Sequence, residues 1–184
     1  MDLKLNNKKV LITGASRGIG LSIAKEFLQE KAKVCIVSRG SESLFESEQE
    51  LQKNYGMENV FASQCDCTDV GLLNNLRKEI ENKWGCLDIV VANVGDGCSV
   101  SDSLPSNDDW QRTWNSNFEP TLQTARTFLP MLEKSSGVLL FISSISLLSP
   151  PISFQLSLGF SIITNFSTSR LPGRLVLSTI FNDF

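Results

Sequence analysis

The 184 residues include no histidine and a single tyrosine, Tyr55. Without histidine the chain lacks the commonest metal ligand and the side chain most used for proton transfer near neutral pH. Cys65 and Cys67 then stand as an isolated close pair, with no second pair to complete a tetrahedral site, so no metal is read from the sequence. Long apolar runs are missing too. The longest, residues 138–142, falls far short of the roughly 20 residues that span a bilayer, and the opening MDLKLNNKKV has no apolar stretch of signal-peptide length. Strong charge of either sign is absent: the net charge is -3 with scattered lysines, which gives no long-range attraction to phosphate backbones or anionic lipids. The expected address is cytoplasmic, with neither nucleic acid nor membrane as partner. The five cysteines, Cys35, Cys65, Cys67, Cys86 and Cys98, are odd in number and fall mostly at strand-like positions, as small buried hydrophobes do in a reducing compartment.

What is present is an alternation. Mostly apolar runs bounded by turn or polar residues predict strands at 9–13, 33–38, 60–65, 87–93 and 137–143. Amphipathic stretches lie between them. Ile19, Ile23 and Phe27 recur at four-residue spacing after the first strand, and Leu72, Leu73, Leu76 and Ile80 form a stripe after the third. Ser106 and Asp109 form a capping-box pattern that opens a long helix running towards Leu132, with Trp110, Trp114 and Phe118 marking one face. Apolar strands separated by helices imply an α/β fold, a doubly wound parallel sheet of about five strands with helices on both faces.

After the first strand, TGASRGIG runs from Thr13 to Gly20 straight into a helix beginning near Gly18. Glycines there allow a tight turn, and backbone N–H groups can approach a pyrophosphate at the positive end of the helix. The spacing Thr-Gly-x-x-x-Gly-x-Gly resembles the fingerprint of the short-chain dehydrogenase/reductase family, a Rossmann fold. The resemblance extends over residues 7–149 through Asp66 in CDCTD, ANVG at 92–95, Asn117 in WNSNFEP, and Ser144 at the end of GVLLFISS. It implies a nicotinamide dinucleotide held by Thr13, Gly14, Ser16, Arg17, Gly18, Ile19 and Gly20, by Ser38 and Arg39 past the second strand, by Asp66 and Cys67 past the third, and by Asn93 and Gly95 past the fourth. Asn117 and Ser144 would be the catalytic pair, acting on a small carbonyl or alcohol substrate, and a homo-oligomer is allowed. Arg39 stands where an acidic residue would select NAD, so NADP is the expected cofactor. Ser38-Arg39 also argues against a Rossmann-like methyltransferase.

The resemblance breaks after Ser144. It implies a tyrosine thirteen residues on and a lysine four beyond that, to donate a proton and to lower the phenol's pKa from near 10. Those positions hold Ser157 and Ser161; Tyr55 precedes the third strand and the last lysine is Lys134. Residues 151–184 contain no Lys, Glu or Ala, while phenylalanines accumulate there. Two regions are expected, an NADP-binding Rossmann domain over 1–149 and an atypical tail over 150–184, incomplete relative to the family and with an ending altered by a shifted frame, truncation or splicing. The expectation is an NADP-dependent oxidoreductase impaired by the missing tyrosine and lysine; the rival is a non-catalytic dinucleotide-binding module that acts through a partner.

Overall fold

A computed structural model describes residues 3–96 and 104–142 of the chain. Five strands, β1 (Lys9–Thr13), β2 (Lys33–Ser38), β3 (Val60–Gln64), β4 (Ile89–Ala92) and β5 (Val138–Phe141), form one parallel sheet in the order β3-β2-β1-β4-β5. The helices are α1 (Gly18–Gln29), α2 (Ser41–Tyr55), α3 (Val70–Trp84), α4 (Asn107–Thr113) and α5 (Glu119–Ser135), with a π-helical turn at Trp114–Phe118 joining the last two. The doubly wound parallel sheet read from the sequence is therefore present, as a Rossmann fold.

Alternation along each strand sends neighbouring side chains to opposite layers. Leu11, Cys35, Val37, Phe61, Val90 and Leu139 pack with Leu73, Leu76 and Ile80 of α3 and Phe128, Met131 and Leu132 of α5. On the other face Val10, Ile12, Val34, Ile36, Val60, Ile89 and Val91 meet Ala24 and Leu28 of α1 and Leu44 and Leu51 of α2. Each fully buried aliphatic side chain contributes roughly 1.5–3 kcal/mol by leaving water, and β1, in the middle, is buried at four of its five positions.

Some sequence expectations shift in detail. In α1 the buried stripe is Gly20, Ala24 and Leu28, one position beyond the expected Ile19, Ile23 and Phe27, and Ile19 is 42% exposed. Small residues face the sheet because the helix lies close to it, and the larger side chains flank the contact. Leu72 drops out of the α3 stripe at 42% exposure, leaving Leu73, Leu76 and Ile80. The single helix expected from Ser106 to Leu132 is broken by the π turn, and none of Trp110, Trp114 and Phe118 is buried. Trp114 and Phe118 instead pack on each other with ring centroids 4.1 Å apart. The expected cap does form: the Asp109 amide donates to Ser106 Oγ at 3.2 Å.

Among the described residues no helix is long and apolar enough to cross a membrane. Ser143, Ser144, Cys98 and the boundary expected at 149/150 lie outside the described residues.

Candidate functional site

In an open parallel sheet the strand order reverses where one strand's crossover leads left and the next leads right, and a crevice opens there at the strands' carboxyl ends. Here that point lies between β1 and β4. The segments leaving both strands are tied across it. The Asn93 side-chain amide donates to the Thr13 carbonyl at 3.2 Å and the Gly14 carbonyl at 3.1 Å. The Asn93 backbone N–H donates to Thr13 Oγ1 at 3.1 Å, and that hydroxyl donates to the Val91 carbonyl at 3.4 Å. Asn93 thus fixes the start of the glycine loop.

Gly14 has φ +64°, in the left-handed region that favours glycine. Gly20 is required for a different reason: a Cβ there would strike the Gly14 carbonyl oxygen and come within 2.6 Å of Asn93 Nδ2. The loop folds back over the first turn of α1 with no room for a side chain. Behind it the helix opens without a cap. Arg17 is extended at the N-cap position and makes no side-chain cap bond, and no acidic residue sits in the first turn. Among the described helices α1 alone has neither device, since α2, α4 and α5 carry acids in the first turn and Asp69 caps α3. Its first N–H groups and positive dipole end face the crevice unsatisfied, which suits an anion.

Around the loop the expected residues fall into two groups. On the β2 side, Ser16 Oγ donates to Ser38 Oγ at 3.1 Å, and Ser47 of α2 donates to the Ser16 carbonyl at 2.7 Å. Arg17 and Arg39 are both exposed beside them. Past β3, Asp66 Oδ1 accepts from the Thr68 amide at 2.9 Å and the Thr68 hydroxyl at 2.8 Å. Partial burial raises the Asp66 carboxyl's pKa, but the two Thr68 bonds and the charge of Arg39 outweigh it and hold the group below the usual carboxylate range. Cys67 has its side chain in the core under α3 and α5, so a ligand in the crevice could meet only its backbone.

On the β4 side the π turn presents Asn117. Its Oδ1 accepts from the Asp96 amide at 2.9 Å, and its Nδ2 donates to the Thr113 carbonyl at 3.1 Å and Asp96 Oδ1 at 3.3 Å. Such single π turns occur often at functional sites, because the extra residue in the turn frees backbone groups and re-aims side chains. Gly95 lies against it, with a Cβ there reaching 3.1 Å from Asn117 Oδ1. Asn117 therefore bridges the helix and the exit of β4. Ser144 lies outside the described residues, so the structure places one member of the expected catalytic pair.

Two contributors were not singled out from the sequence. Ser47 is buried in α2 and anchors the glycine loop from behind. Its one signal is position, a serine between the buried Leu44 and Leu51 of an otherwise polar helix. Asp96, which pairs with Asn117, carries no local signal.

A family model described as short chain dehydrogenase matches residues 8–155. A fatty acyl-CoA reductase of Acinetobacter baylyi is 31% identical over 154 residues, covering 82% of this chain and 52% of that protein. The chain spans about half the length of the curated relatives it matches. Among solved structures, L-sorbose reductase from Gluconobacter frateurii, complexed with NADPH and L-sorbose, superposes with a TM-score of 0.78 at 26% identity, over 89% of this chain and 64% of that one. An NADPH-bound short-chain oxidoreductase from Pseudomonas aeruginosa, described as containing an atypical catalytic center, gives a TM-score of 0.77 at 26% identity, over 86% of this chain and 62% of that one.

Proposed function

The chain belongs to the short-chain dehydrogenase family, and from that membership we propose that it binds NADP(H) in the crevice between β1 and β4 but transfers hydride poorly or not at all. The observation that carries the binding half is the uncapped start of α1 beneath a glycine loop locked by Asn93. A pyrophosphate there would accept from backbone N–H groups at the positive end of the helix dipole, in a cradle that Gly14 and Gly20 keep clear of side chains. Ser16, Ser38, Arg17 and Arg39 would surround the adenosine ribose. With no carboxylate at the end of β2 to accept from a ribose 2'-OH, and two guanidinium groups able to grip a 2'-phosphate, the site favours NADP over NAD. Asp66 would lie at the adenine, and Asn93 and Gly95 along the path to the nicotinamide. Bound there, the nicotinamide would supply the hydride for carbonyl reduction or alcohol oxidation.

The catalytic half rests on side chains and their positions. Helices that cover a parallel sheet run back against the strands, so the end of each helix lies at the edge where the next strand begins. Tyr55 ends α2 and Lys134 lies in the last turn of α5. Both sit at the edge of the sheet opposite the crevice, where neither can reach a nicotinamide. Thirteen and seventeen residues beyond Ser144 the sequence has Ser157 and Ser161, and the match to the family model stops at residue 155. A serine hydroxyl is a far weaker acid than a phenol and has no cation beside it in sequence, so proton transfer in step with hydride transfer loses its donor. Asn117 and Ser144 would remain to position a carbonyl.

The test is an NADPH-oxidation assay against a panel of aldehydes, ketones and ketoses, on protein first shown by calorimetry to bind NADPH. Binding with turnover below about a thousandth of a typical 10 s⁻¹ supports the proposal. Turnover in the ordinary range would overturn the catalytic half, and would align this chain with relatives whose catalytic centre is atypical.

A further inference from the structure

Ser47 sits in the middle of α2 at 6% exposure, between the buried Leu44 and Leu51. A buried hydroxyl costs free energy unless it is hydrogen-bonded, and an alanine would fill the same helix position without that cost. Hydroxyls inside helices commonly bond back to the carbonyl four residues earlier, as those of Ser22, Ser116, Thr121 and Thr124 do here. Ser47 instead donates out of its helix, to the Ser16 carbonyl at 2.7 Å across a separation of 31 residues.

That bond joins the two chain segments that carry the exposed arginines. β1 and β2 pair in register from Lys9 with Lys33 to Thr13 with Val37, and the Ala15 amide extends the pairing by donating to the Val37 carbonyl at 3.0 Å. Beyond that point no backbone bond among the described residues joins the two exits. Arg17 follows Ser16 at the N-cap of α1, and Arg39 follows Ser38, with α2 starting two residues later at Ser41. The Arg39 segment is held from the β3 side, where Gln64 Nε2 donates to the Arg39 carbonyl at 2.8 Å and the Cys65 amide to the Ser38 carbonyl at 3.1 Å. The Arg17 segment is held to it by side chains: the Ser16 hydroxyl on Ser38 Oγ at 3.1 Å, and the shorter, buried bond from Ser47. Six residues of helix, about 9 Å of rise, separate Ser47 from the start of α2 at Ser41. One rigid helix therefore begins beside Arg39 and grips the loop that carries Arg17.

We propose that Ser47 is a positioning residue for cofactor choice: by tying the Ser16 carbonyl to α2 it sets the spacing of Arg17 and Arg39, and with it the grip on a ribose 2'-phosphate. Ser47 touches no ligand itself, being buried behind the loop. A phosphate shared by two guanidinium groups is sensitive to their separation because charge-assisted hydrogen bonds are short and directional, and a preset spacing lowers the ordering cost of two long side chains. The pyrophosphate cradle has a joint of its own, the Asn93 amide on the Thr13 and Gly14 carbonyls, which stays intact without Ser47. The two joints divide the site. Asn93 secures what NAD and NADP share, and Ser47 secures the phosphate by which they differ. This role rests on the reading of the crevice as an NADP(H) site.

The test titrates the full chain and its Ser47→Ala variant with NADPH and with NADH, which differ in the 2'-phosphate alone. Ser47→Ala should weaken NADPH about fivefold, the scale of one net hydrogen bond, and NADH by less than about twofold, so the preference narrows. Equal losses for the two nucleotides, which a merely structural role would give, or an unchanged preference would overturn the proposal. A second arm repeats the substitution in an Arg39→Ala background. With one guanidinium gone the spacing no longer matters, so Ser47→Ala should leave the remaining NADPH to NADH ratio unmoved, and a further narrowing as large as in the parent would show that Ser47 does not act through the arginine pair. Should Ser47→Ala not fold, Ser47→Cys, close in size and a weaker donor, is read by the same ratio. A parent that binds neither nucleotide, or both equally, fails the reading of the crevice separately, and hydrogen exchange at the Ala15 amide then decides: faster exchange in the Ser47 variant supports the tie between loop and α2, and unchanged exchange refutes it.

Discussion

An alanine at Gly20 would press a methyl group against the Gly14 carbonyl oxygen, 2.6 Å from Asn93 Nδ2 and 2.9 Å from the Ala15 Cα. Ordinary contacts between carbon atoms lie at about 3.5–4.0 Å, so the approach is too close by more than half an ångström, and two of the three obstacles are backbone. Relief comes from lifting α1 off the loop or from swinging Asn93 away from the Thr13 and Gly14 carbonyls. Overpacking of this kind costs about 1–3 kcal/mol, and each lost hydrogen bond about 0.5–1.5 kcal/mol. We expect Gly20→Ala to lose about 2–4 kcal/mol of stability, which for a domain near this size lowers Tm by roughly 4–16 °C. Gly18→Ala is the control. Gly18 has φ +58° but nothing within 4 Å of its would-be Cβ, so it bears only the cost of a left-handed residue, about 1 kcal/mol. Thermal and urea unfolding of the two variants side by side measure the difference, and NADPH titration should show the larger loss for Gly20→Ala. A Gly20→Ala protein as stable as Gly18→Ala would refute the idea that backbone crowding holds loop and helix together.

Removing the amide at position 93 should act through the same joint. Asn93→Ala loses two hydrogen bonds, and Asn93→Asp in addition sets a carboxylate against two carbonyl oxygens, so the urea midpoint should fall in both and further in the aspartate variant at pH 7; the reverse order would contradict the assigned donors. Asp66 gives a pH dependence. Its folded pKa lies below the unfolded value of about 3.9, so the ionised carboxylate stabilises the fold above that pH and the contribution is lost as pH falls through the folded value. The stability gap between the parent and Asp66→Asn should therefore close as pH drops below about 4, and a gap constant across that range would show that Asp66 is not held as described. Arg39→Ala should weaken NADPH more than NADH, shifting the ratio of their dissociation constants about tenfold; an unchanged ratio removes Arg39 from the 2'-phosphate.

The sheet was legible because buried parallel strands leave a plain signal, apolar runs between polar turns. Strand ends were less so. Cys65 reads as the last residue of a strand, yet β3 stops at Gln64 even though the Cys65 amide still donates to the Ser38 carbonyl at 3.1 Å. In α1 the contact with the sheet is made by Gly20 and Ala24, residues that a search for large apolar side chains passes over. α2 was passed over too, since among its fifteen residues the buried ones are Leu44, Ser47 and Leu51. The π turn at Trp114–Phe118 has no pattern of its own in the sequence, because it depends on where Asn117 finds Asp96 at the exit of β4. The glycine loop was readable from its motif, whereas its lock was only half so: Asn93 stood out in ANVG, but its bonds to Thr13 and Gly14 join segments about eighty residues apart.

The cofactor site proposed between β1 and β4 would hold the adenosine end and leave the nicotinamide end without partners. Calorimetric titration of the reduced chain with NADPH and with adenosine 2',5'-bisphosphate tests it most directly. Both should bind, with dissociation constants within about tenfold of each other. NADPH binding a hundredfold tighter, a difference of about 2.7 kcal/mol, would show an intact nicotinamide end and contradict the claim, as would the absence of binding by either.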